Sequence, residues 1–244
     1  MIIFDTDKQA LFNPPNLNLS GGFNKAIMIF DDEVWEDYVA KDSGSIAIPL
    51  KNTQGRIFNT FRSRTYKQEN VLLVCPSMGS AASSTELELL IASGIDKIVA
   101  FGTCGAMDKN IAKNTLIIPT SAVREEGVSY HYLPPSDEVD QTQKSIKTIE
   151  QVFISNGASY LLGKVWTTDA VYRETAKKLK LMKYKGAIAV DMEMASLLAV
   201  AEFRKIDFAG FLITDDNIDG KNDKELQKDS KTLLQLALDV VQAL

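Results

Sequence analysis

Two pairs of acidic residues lie beside apolar segments, where carboxylates are rare unless something partners them. Asp191 and Glu193 stand at the start of a segment with a helical apolar pattern, and Asp215 and Asp216 directly follow the apolar run 208–213. The residues predict an enzyme in which one carboxylate holds a hydroxylated ligand and another delivers a proton to a leaving group. The alternatives are that the first pair complements a helix dipole and that the second caps a helix or forms a turn.

A third group follows the predicted strand 97–101, where Gly102 and Gly105 flank Thr103 and Cys104. Glycines at this spacing let a ligand approach the backbone, and a threonine supplies a hydroxyl group. The spacing is not G-x-G-x-x-G, and no acidic residue about 20 positions later completes a dinucleotide pattern. The group therefore predicts a ligand contact other than a dinucleotide, with a plain tight turn as the alternative.

The composition is that of a soluble globular protein, with 244 residues, 45% hydrophobic residues and a net charge of -5. The negative charge argues against nucleic acid as a partner, and no apolar run reaches the length of a membrane span. Two cysteines without zinc-type spacing predict buried free thiols. We expect a cytoplasmic protein.

Short apolar runs alternate with helical patterns, which predicts a single α/β domain over residues 1–244. Its centre is a mixed, mostly parallel twisted sheet flanked by helices. The predicted strands are 26–30, 71–75, 97–101, 115–119, 163–167 and 208–214; the predicted helices are 32–41, 83–93, 139–156, 174–184, 190–204 and 223–243. Residues 1–24 are expected to form a loosely packed arm, and residues 127–140 a mobile surface loop.

Together these signals match a known pattern: the chain resembles the nucleoside phosphorylase and uridine phosphorylase family, which also contains the methylthioadenosine-type nucleosidases. The order and approximate spacing fit from about residue 25 to the end. The residues that carry the resemblance are 65–67, 78–79, 102–106, 124–132, 168–175, 190–193 and 214–215.

The resemblance implies cleavage of the N-glycosidic bond of a nucleoside through an oxocarbenium-like transition state. Glu193 would accept hydrogen bonds from the ribose 2′ and 3′ hydroxyls, with Met192 against the sugar and Asp191 beside them. Asp215 matches the general acid, and its neighbour Asp216 is the alternative. Further assignments are a phosphate contact for Thr103, a wall beside the base for Cys104 and Gly105, packing on the base for Val171 and Tyr172, and a contact with base or anion for Arg173.

The sequence departs from the family's phosphorylases where these bind phosphate. Residues 30–35 lack the Gly, Pro and Arg of the Gly-Asp-Pro-x-Arg turn, Trp35 standing near the expected arginine, and Ala100 replaces a second arginine. Guanidinium groups are the usual phosphate ligands. The candidates to replace them are Arg56, Arg62 and Arg64 from a neighbouring subunit, and Arg124 or Arg173; each is otherwise a surface charge.

Three functions stay open. The leading prediction is a uridine phosphorylase-like nucleoside phosphorylase that produces free base and pentose 1-phosphate. The second is a nucleosidase in which Glu33 activates water, unless Glu33 only begins a helix. The third is a nucleoside-binding protein without turnover. The resemblance implies no metal or organic cofactor, with inorganic phosphate as co-substrate in a phosphorylase, and a homo-oligomer, either a dimer or a trimer of dimers.

Overall fold

Apolar runs of the sequence become the strands of one mixed sheet in the part of the chain that the computed structural model describes, namely residues 3–17, 19, 22–39, 62–66, 70–218, 226 and 228–244. The strands of these residues are β1 (Lys25–Phe30), β2 (Arg62–Tyr66), β3 (Val71–Cys75), β4 (Lys97–Ala106), β5 (Leu116–Glu125), β6 (Glu138–Asp140), β7 (Tyr160–Thr168), β8 (Ala187–Asp191) and β9 (Asp207–Asn217).

The strand order is β2-β3-β1-β4-β8-β7-β5-β6, and β9 pairs with both β4 and β5. Strands β4, β8, β7, β5 and β9 therefore form a closed ring. Strand β1 is parallel to β3 and β4, and β9 is parallel to β4. Because parallel strands end at the same edge, the carboxyl ends of these four strands meet, which is where open α/β sheets bind ligands.

The described helices are α1 (Asp32–Val34), α2 (Ser80–Ala92), α3 (Ser129–Tyr132), α4 (Gln143–Ser155), α5 (Ala176–Tyr184), α6 (Met194–Arg204) and α7 (Ser230–Ala243). A π-helical turn, Trp35–Val39, continues α1, and a 3-10 turn, Val171–Arg173, precedes α5. None of the described helices is long and apolar enough to cross a membrane.

Helices cover both faces of the sheet, which confirms the predicted α/β class. Helices α4 and α7 pack on one face, where Phe153 of α4 meets Phe211 of β9 edge-to-face at 5.2 Å between ring centroids. Helices α2 and α6 pack on the other face through residues such as Leu87 and Leu197. Before β1, residues 3–17 contain no helix or strand; the N–H of Leu17 donates to Ser93 Oγ at 2.9 Å.

Several predicted helices begin later than expected. Helix 190–204 starts at Met194, because 187–191 is strand β8 and the Asp191 side chain accepts the N–H groups of Glu193 and Met194. Helix 139–156 starts at Gln143 after the short strand β6, with Thr142 as its N-cap. The segment 127–140 accordingly contains α3 and β6 as well as loop.

The other elements differ in their bounds. Strands β4 and β9 continue past 101 and 214, so 102–106 and 215–217 belong to strands rather than turns. Helix α7 begins at Ser230, where Asp229 accepts the N–H groups of Lys231 and Thr232. Residues 40 and 41 of the first predicted helix, and 223–225 of the last, lie outside the described residues.

Candidate active site

An open cavity of about 900 Å³ lies at the edge where β1, β3, β4 and β9 end. Ten of the sequence-predicted site residues line it and are therefore brought together by the fold. They are Glu33, Thr103, Cys104, Gly105, Val171, Asp191, Met192, Glu193, Asp215 and Asp216.

Glu193 lies at the N-cap position of α6 and points into the cavity from its floor. Its carboxyl is buried, and the N–H of Gly79 donates to Oε1 at 2.6 Å. Burial, reinforced by the charge of Asp191, raises the pKa of Glu193 to about 8. The carboxyl thus retains its proton at neutral pH until a ligand with hydroxyl donors stabilises the charge.

Asp191 ends strand β8, and the protein itself satisfies its oxygens. Thr167 Oγ1 donates to Oδ1 at 2.6 Å, and the N–H groups of Glu193 and Met194 donate to Oδ2 at 3.0 and 2.6 Å. Burial raises its pKa to about 6. Asp191 therefore orients the start of α6, and with it Glu193 and Met192.

Asp215 and Asp216 are adjacent on β9 but have different surroundings. The Asp215 side chain is 59% exposed and its Oδ1 lies 3.4 Å from Lys113 Nζ. Burial, followed by the charge of Asp215, raises the pKa of Asp216. The raised pKa lets the Asp216 carboxyl keep its proton to higher pH, which a group that protonates a leaving group requires.

Gly105 on β4 makes room for Asp216. A Cβ at this position would lie 2.9 Å from Asp216 Oδ1 and 3.1 Å from Val190 Cγ1, so a larger residue would displace the acid. A register shift between Cys104 and Gly105 marks the same place in the pairing of β4 with β9. Of the neighbouring residues on β4, Thr103 is exposed to the cavity and Cys104 is buried in its wall.

Glu33 lies on α1 at the opposite side of the cavity from β8, bound to a lysine. Lys228 Nζ is 2.7 Å from Glu33 Oε2 and 3.0 Å from Asp31 Oδ2. Asp31 is buried and also caps α1, because the N–H groups of Glu33 and Val34 donate to its Oδ1, each at 3.1 Å.

Sequence reasoning missed several lining residues, chiefly Lys228 and Glu174. Burial, followed by the charge of Asp216, raises the pKa of Glu174. Glu174 falls in the segment 168–175 that carries the family resemblance, so the sequence did offer a reason to expect it near the site. Lys228 gave none, because it stands in a polar stretch predicted as helix.

Of the predicted residues whose side chains the structure describes, Tyr172, Arg173 and Arg124 are not among those lining the cavity. Tyr172 is 97% exposed, and Arg173 is exposed beside it. The guanidinium of Arg124 is buried and donates to Ser129 Oγ, Ser136 Oγ and backbone carbonyls of 133–134. Arg62 and Arg64 lie on β2, paired with Cys75 and Leu73 of β3, and Arg56 is outside the described residues.

The described residues that line the cavity carry eight carboxyl groups and one lysine, Lys228. The carboxyl groups belong to Asp31, Asp32, Glu33, Glu174, Asp191, Glu193, Asp215 and Asp216. Such a cavity is suited to bind hydroxyl groups, to donate protons and to stabilise a cation. In the described ranges, no three or more His, Cys, Asp or Glu side chains are grouped to hold a metal ion.

Comparison with known proteins agrees with the fold. Residues 25–244 match the model of the phosphorylase superfamily. A purine nucleoside phosphorylase of DeoD type from Buchnera aphidicola is 25% identical over 228 residues, which is 90% of this chain and 94% of that protein.

Solved structures share the architecture. The AMP nucleosidase of Bacteroides thetaiotaomicron superposes with a TM-score of 0.73 at 23% identity, covering 90% of this chain and 88% of that one. Purine nucleoside phosphorylase of Toxoplasma gondii, in complex with immucillin-H, gives a TM-score of 0.72 at 20% identity, covering 96% and 95%. Because the family model spans nearly the whole chain, this protein belongs to the phosphorylase superfamily, whose members include nucleoside phosphorylases and nucleosidases.

Proposed function

We propose that this protein releases the base from a nucleoside by cleaving the N-glycosidic bond, with Glu193 holding the ribose and Asp216 protonating the base. The observation that supports this most directly is that the buried carboxyl of Glu193 and the carboxyl of Asp216, both with raised pKa values, line one cavity. Asp216 donates a proton, and Glu193, ionised by its hydrogen bonds to the sugar hydroxyls, stabilises the cationic sugar.

For the acceptor we propose water, activated by Glu33. The bond from C1′ to the base nitrogen breaks with its electron pair going to the base, which receives the proton of Asp216. The water oxygen bonds to C1′ and its proton passes to Glu33, so the products are free base and pentose. The charge of the cavity favours this reaction, because its described lysine already faces two carboxylates and a phosphate dianion would meet net negative charge.

Phosphorolysis is the second candidate, supported by the similarity to purine nucleoside phosphorylases over 90% of the chain. In that reaction phosphate replaces water and pentose 1-phosphate is formed. Arg62 or Arg64 of a neighbouring subunit would then supply the missing cations, with Thr103 as a hydroxyl contact. The homo-oligomer that this arrangement needs remains a prediction.

The test is a panel of purine and pyrimidine nucleosides incubated with purified protein, with and without phosphate, in water enriched in ¹⁸O. Phosphate-independent base release with ¹⁸O at C1 of the pentose is the expected result. Release that requires phosphate and gives pentose 1-phosphate would replace the water mechanism by phosphorolysis. No release from any nucleoside would leave the non-catalytic binding protein.

The Glu33→Gln variant checks the role of Glu33 within that test. It is expected to lower phosphate-independent release by ~10²–10⁴-fold, the usual contribution of a positioned base. Glu36→Gln, an exposed change on the same helical segment, is the matched control and should leave the rate unchanged.

A further inference from the structure

Lys228 lines the cavity but has no role in the reaction proposed above. It is 15% exposed by its side chain and lies one residue before the N-cap of α7. A lysine so far from water carries a cost in free energy unless its charge is partnered. It has two partners, almost 200 positions earlier in the chain: Glu33, which lies in α1, and Asp31, which is the N-cap of α1.

The three residues form a closed arrangement. Asp31 Oδ1 accepts the N–H of Glu33, Asp31 Oδ2 lies 3.0 Å from Lys228 Nζ, and the same Nζ lies 2.7 Å from Glu33 Oε2. Asp31 therefore fixes the backbone of Glu33, and Lys228 fixes its carboxylate. Because the Glu33 side chain is otherwise 58% exposed, without Lys228 it would sample several rotamers.

The segment that carries Lys228 is itself anchored. The N–H of Leu226 donates to Lys113 O at 2.9 Å, and Asn114 Nδ2 donates to Leu226 O at 2.6 Å. On the other side, Asp229 caps α7. Lys228 thus lies between the backbone contacts of Leu226 and the N-cap of α7.

We propose that Lys228 is a positioning residue, which holds the Glu33 carboxylate in place and aimed at the water that attacks C1′. The inference rests on the proposed function, because it acts through Glu33. Burial alone lowers the pKa of Lys228, but its hydrogen bonds to Glu33 and Asp31 outweigh burial and raise the pKa above its usual value. The ammonium group therefore stays charged throughout the neutral range.

The experiment is a double-mutant cycle between Lys228→Met and Glu33→Gln, measured as kcat and KM for base release. Lys228→Met is expected to lower kcat about 10-fold or more, a part of the ~10²–10⁴-fold contribution of a base, with KM little changed. In the Glu33→Gln background the same change should cost nothing further, because groups that act as a unit are not additive. Lys228→Arg should restore most of kcat, since it keeps the charge.

Controls separate this role from stability. Lys231→Met removes an exposed lysine three positions away and should leave kcat and KM unchanged. Since Lys228→Met leaves the buried carboxylate of Asp31 unpaired, the double variant Asp31→Asn/Lys228→Met tests the same loss without that charge. Asparagine keeps the Oδ1 that caps α1.

The outcomes are distinguishable. If Glu33→Gln keeps full turnover, the proposed role of Glu33 fails, and with it this inference. If Glu33→Gln loses turnover while both Lys228 variants keep the wild-type kcat, the proposed function stands and only the role of Lys228 is wrong. Losses that add fully in the cycle would likewise overturn it.

Discussion

At the scale of single residues, the two aspartates of β9 show how burial separates neighbours of the same type. Both carboxyls line the cavity, yet Asp215 is mostly in solvent beside Lys113, whereas Asp216 lies against Gly105 with a raised pKa. The family resemblance pointed to Asp215 as the acid, with Asp216 as the alternative. The sequence alone could not compare their surroundings, because adjacent positions of a strand differ in environment only once the sheet is formed.

Asp216→Asn tests the acid. We expect nucleoside binding to be kept and base release to fall by ~10²–10⁴-fold, because the leaving base loses its proton donor. The measurement is turnover alongside a calorimetric Kd. Asp215→Asn is the matched control, expected to change turnover little, since an exposed ion pair contributes at most about 1 kcal/mol. The opposite ranking of the two variants would move the acid to Asp215.

Glu193→Gln tests the ribose contact. Glutamine keeps one acceptor for the N–H of Gly79 but replaces the other oxygen with a donor, which cannot accept a sugar hydroxyl. Binding of nucleosides should weaken on the order of 10–100-fold, the effect of about 1–3 kcal/mol for an unmatched polar group. Titration calorimetry compares the nucleoside with its free base, whose affinity should stay the same.

The exposed Glu202 of the same helix supplies the control variant Glu202→Gln. Equal losses for nucleoside and free base would show that Glu193 does not contact the ribose.

At the scale of elements, the loop between β3 and α2 connects the helix to the site through a buried glutamate. The N–H of Ser77 donates to Glu86 Oε2 at 2.9 Å, and two residues further the N–H of Gly79 donates to Glu193. Glu86 is 1% exposed, and burial raises its pKa to about 7. Helix α2 thus carries a carboxyl, with a pKa of about 7, that is bonded to the same loop as Glu193.

Glu86→Gln is expected to stabilise the fold at pH 8 relative to pH 5. The unfolded chain loses the Glu86 proton near pH 4.5, but the folded chain keeps it until about pH 7, so wild-type stability falls across that interval. Glutamine does not titrate, so the difference in Tm between variant and wild type should become more positive from pH 5 to pH 8. Thermal unfolding at both pH values measures it, and a difference that shrinks would contradict the burial argument.

The elements that sequence predicted well are those that the core defines. Continuous apolar runs predicted β1 and β3 within one residue, and Gly94, with φ of +93°, follows the end of α2 as predicted. Strand β8 was missed, because no glycine or proline separates Val190 and Asp191 from the apolar helix that follows. The break depends on a side chain, Asp191, accepting N–H groups across the junction, which is visible only in three dimensions.

The candidate site divides in the same way. Glu193 and Asp216 could be predicted as cavity residues, because an acid beside an apolar run is unusual in sequence, and both do line the cavity. Lys228 was not found, since a lysine in a polar stretch is common and its significance comes from a contact with Asp31 across the chain. Arg124 was predicted as a phosphate ligand from the sequence, but its guanidinium donates to Ser129 and Ser136 and does not line the cavity.

At the scale of the whole molecule, an aromatic cluster joins the sheet to one helix layer. Phe211 of β9 stacks on Phe101 of β4 with centroids 5.2 Å apart, and Phe153 of α4 meets Phe211 edge-to-face at the same distance. All three rings are fully buried. The strands that carry Phe101 and Phe211 also carry Cys104 and Asp216, so packing in the core fixes the walls of the cavity.

Phe211→Ala should lower the free energy of unfolding by about 3–5 kcal/mol, through the lost contacts and the space left behind. Urea denaturation followed by circular dichroism measures it. Tyr184→Ala is the control, because that ring is 89% exposed and its removal should change stability by no more than about 0.5 kcal/mol. Similar losses of unfolding free energy in the two variants would show that Phe211 does not join the sheet to the helix layer.

The two cysteines of the chain, Cys75 and Cys104, are both buried and both line the cavity. Burial, reinforced by the charge of Asp191, raises the pKa of the Cys104 thiol well above its usual value, so this thiol should alkylate slowly. The reactivity of these cysteines can therefore report whether the cavity of the wild-type protein is occupied, without an added label. A bound nucleoside should slow the reaction of these cysteines with a thiol reagent, which intact-protein mass spectrometry measures as added mass. The nucleoside concentration that halves the reaction rate then measures the affinity, even for a nucleoside that is not turned over.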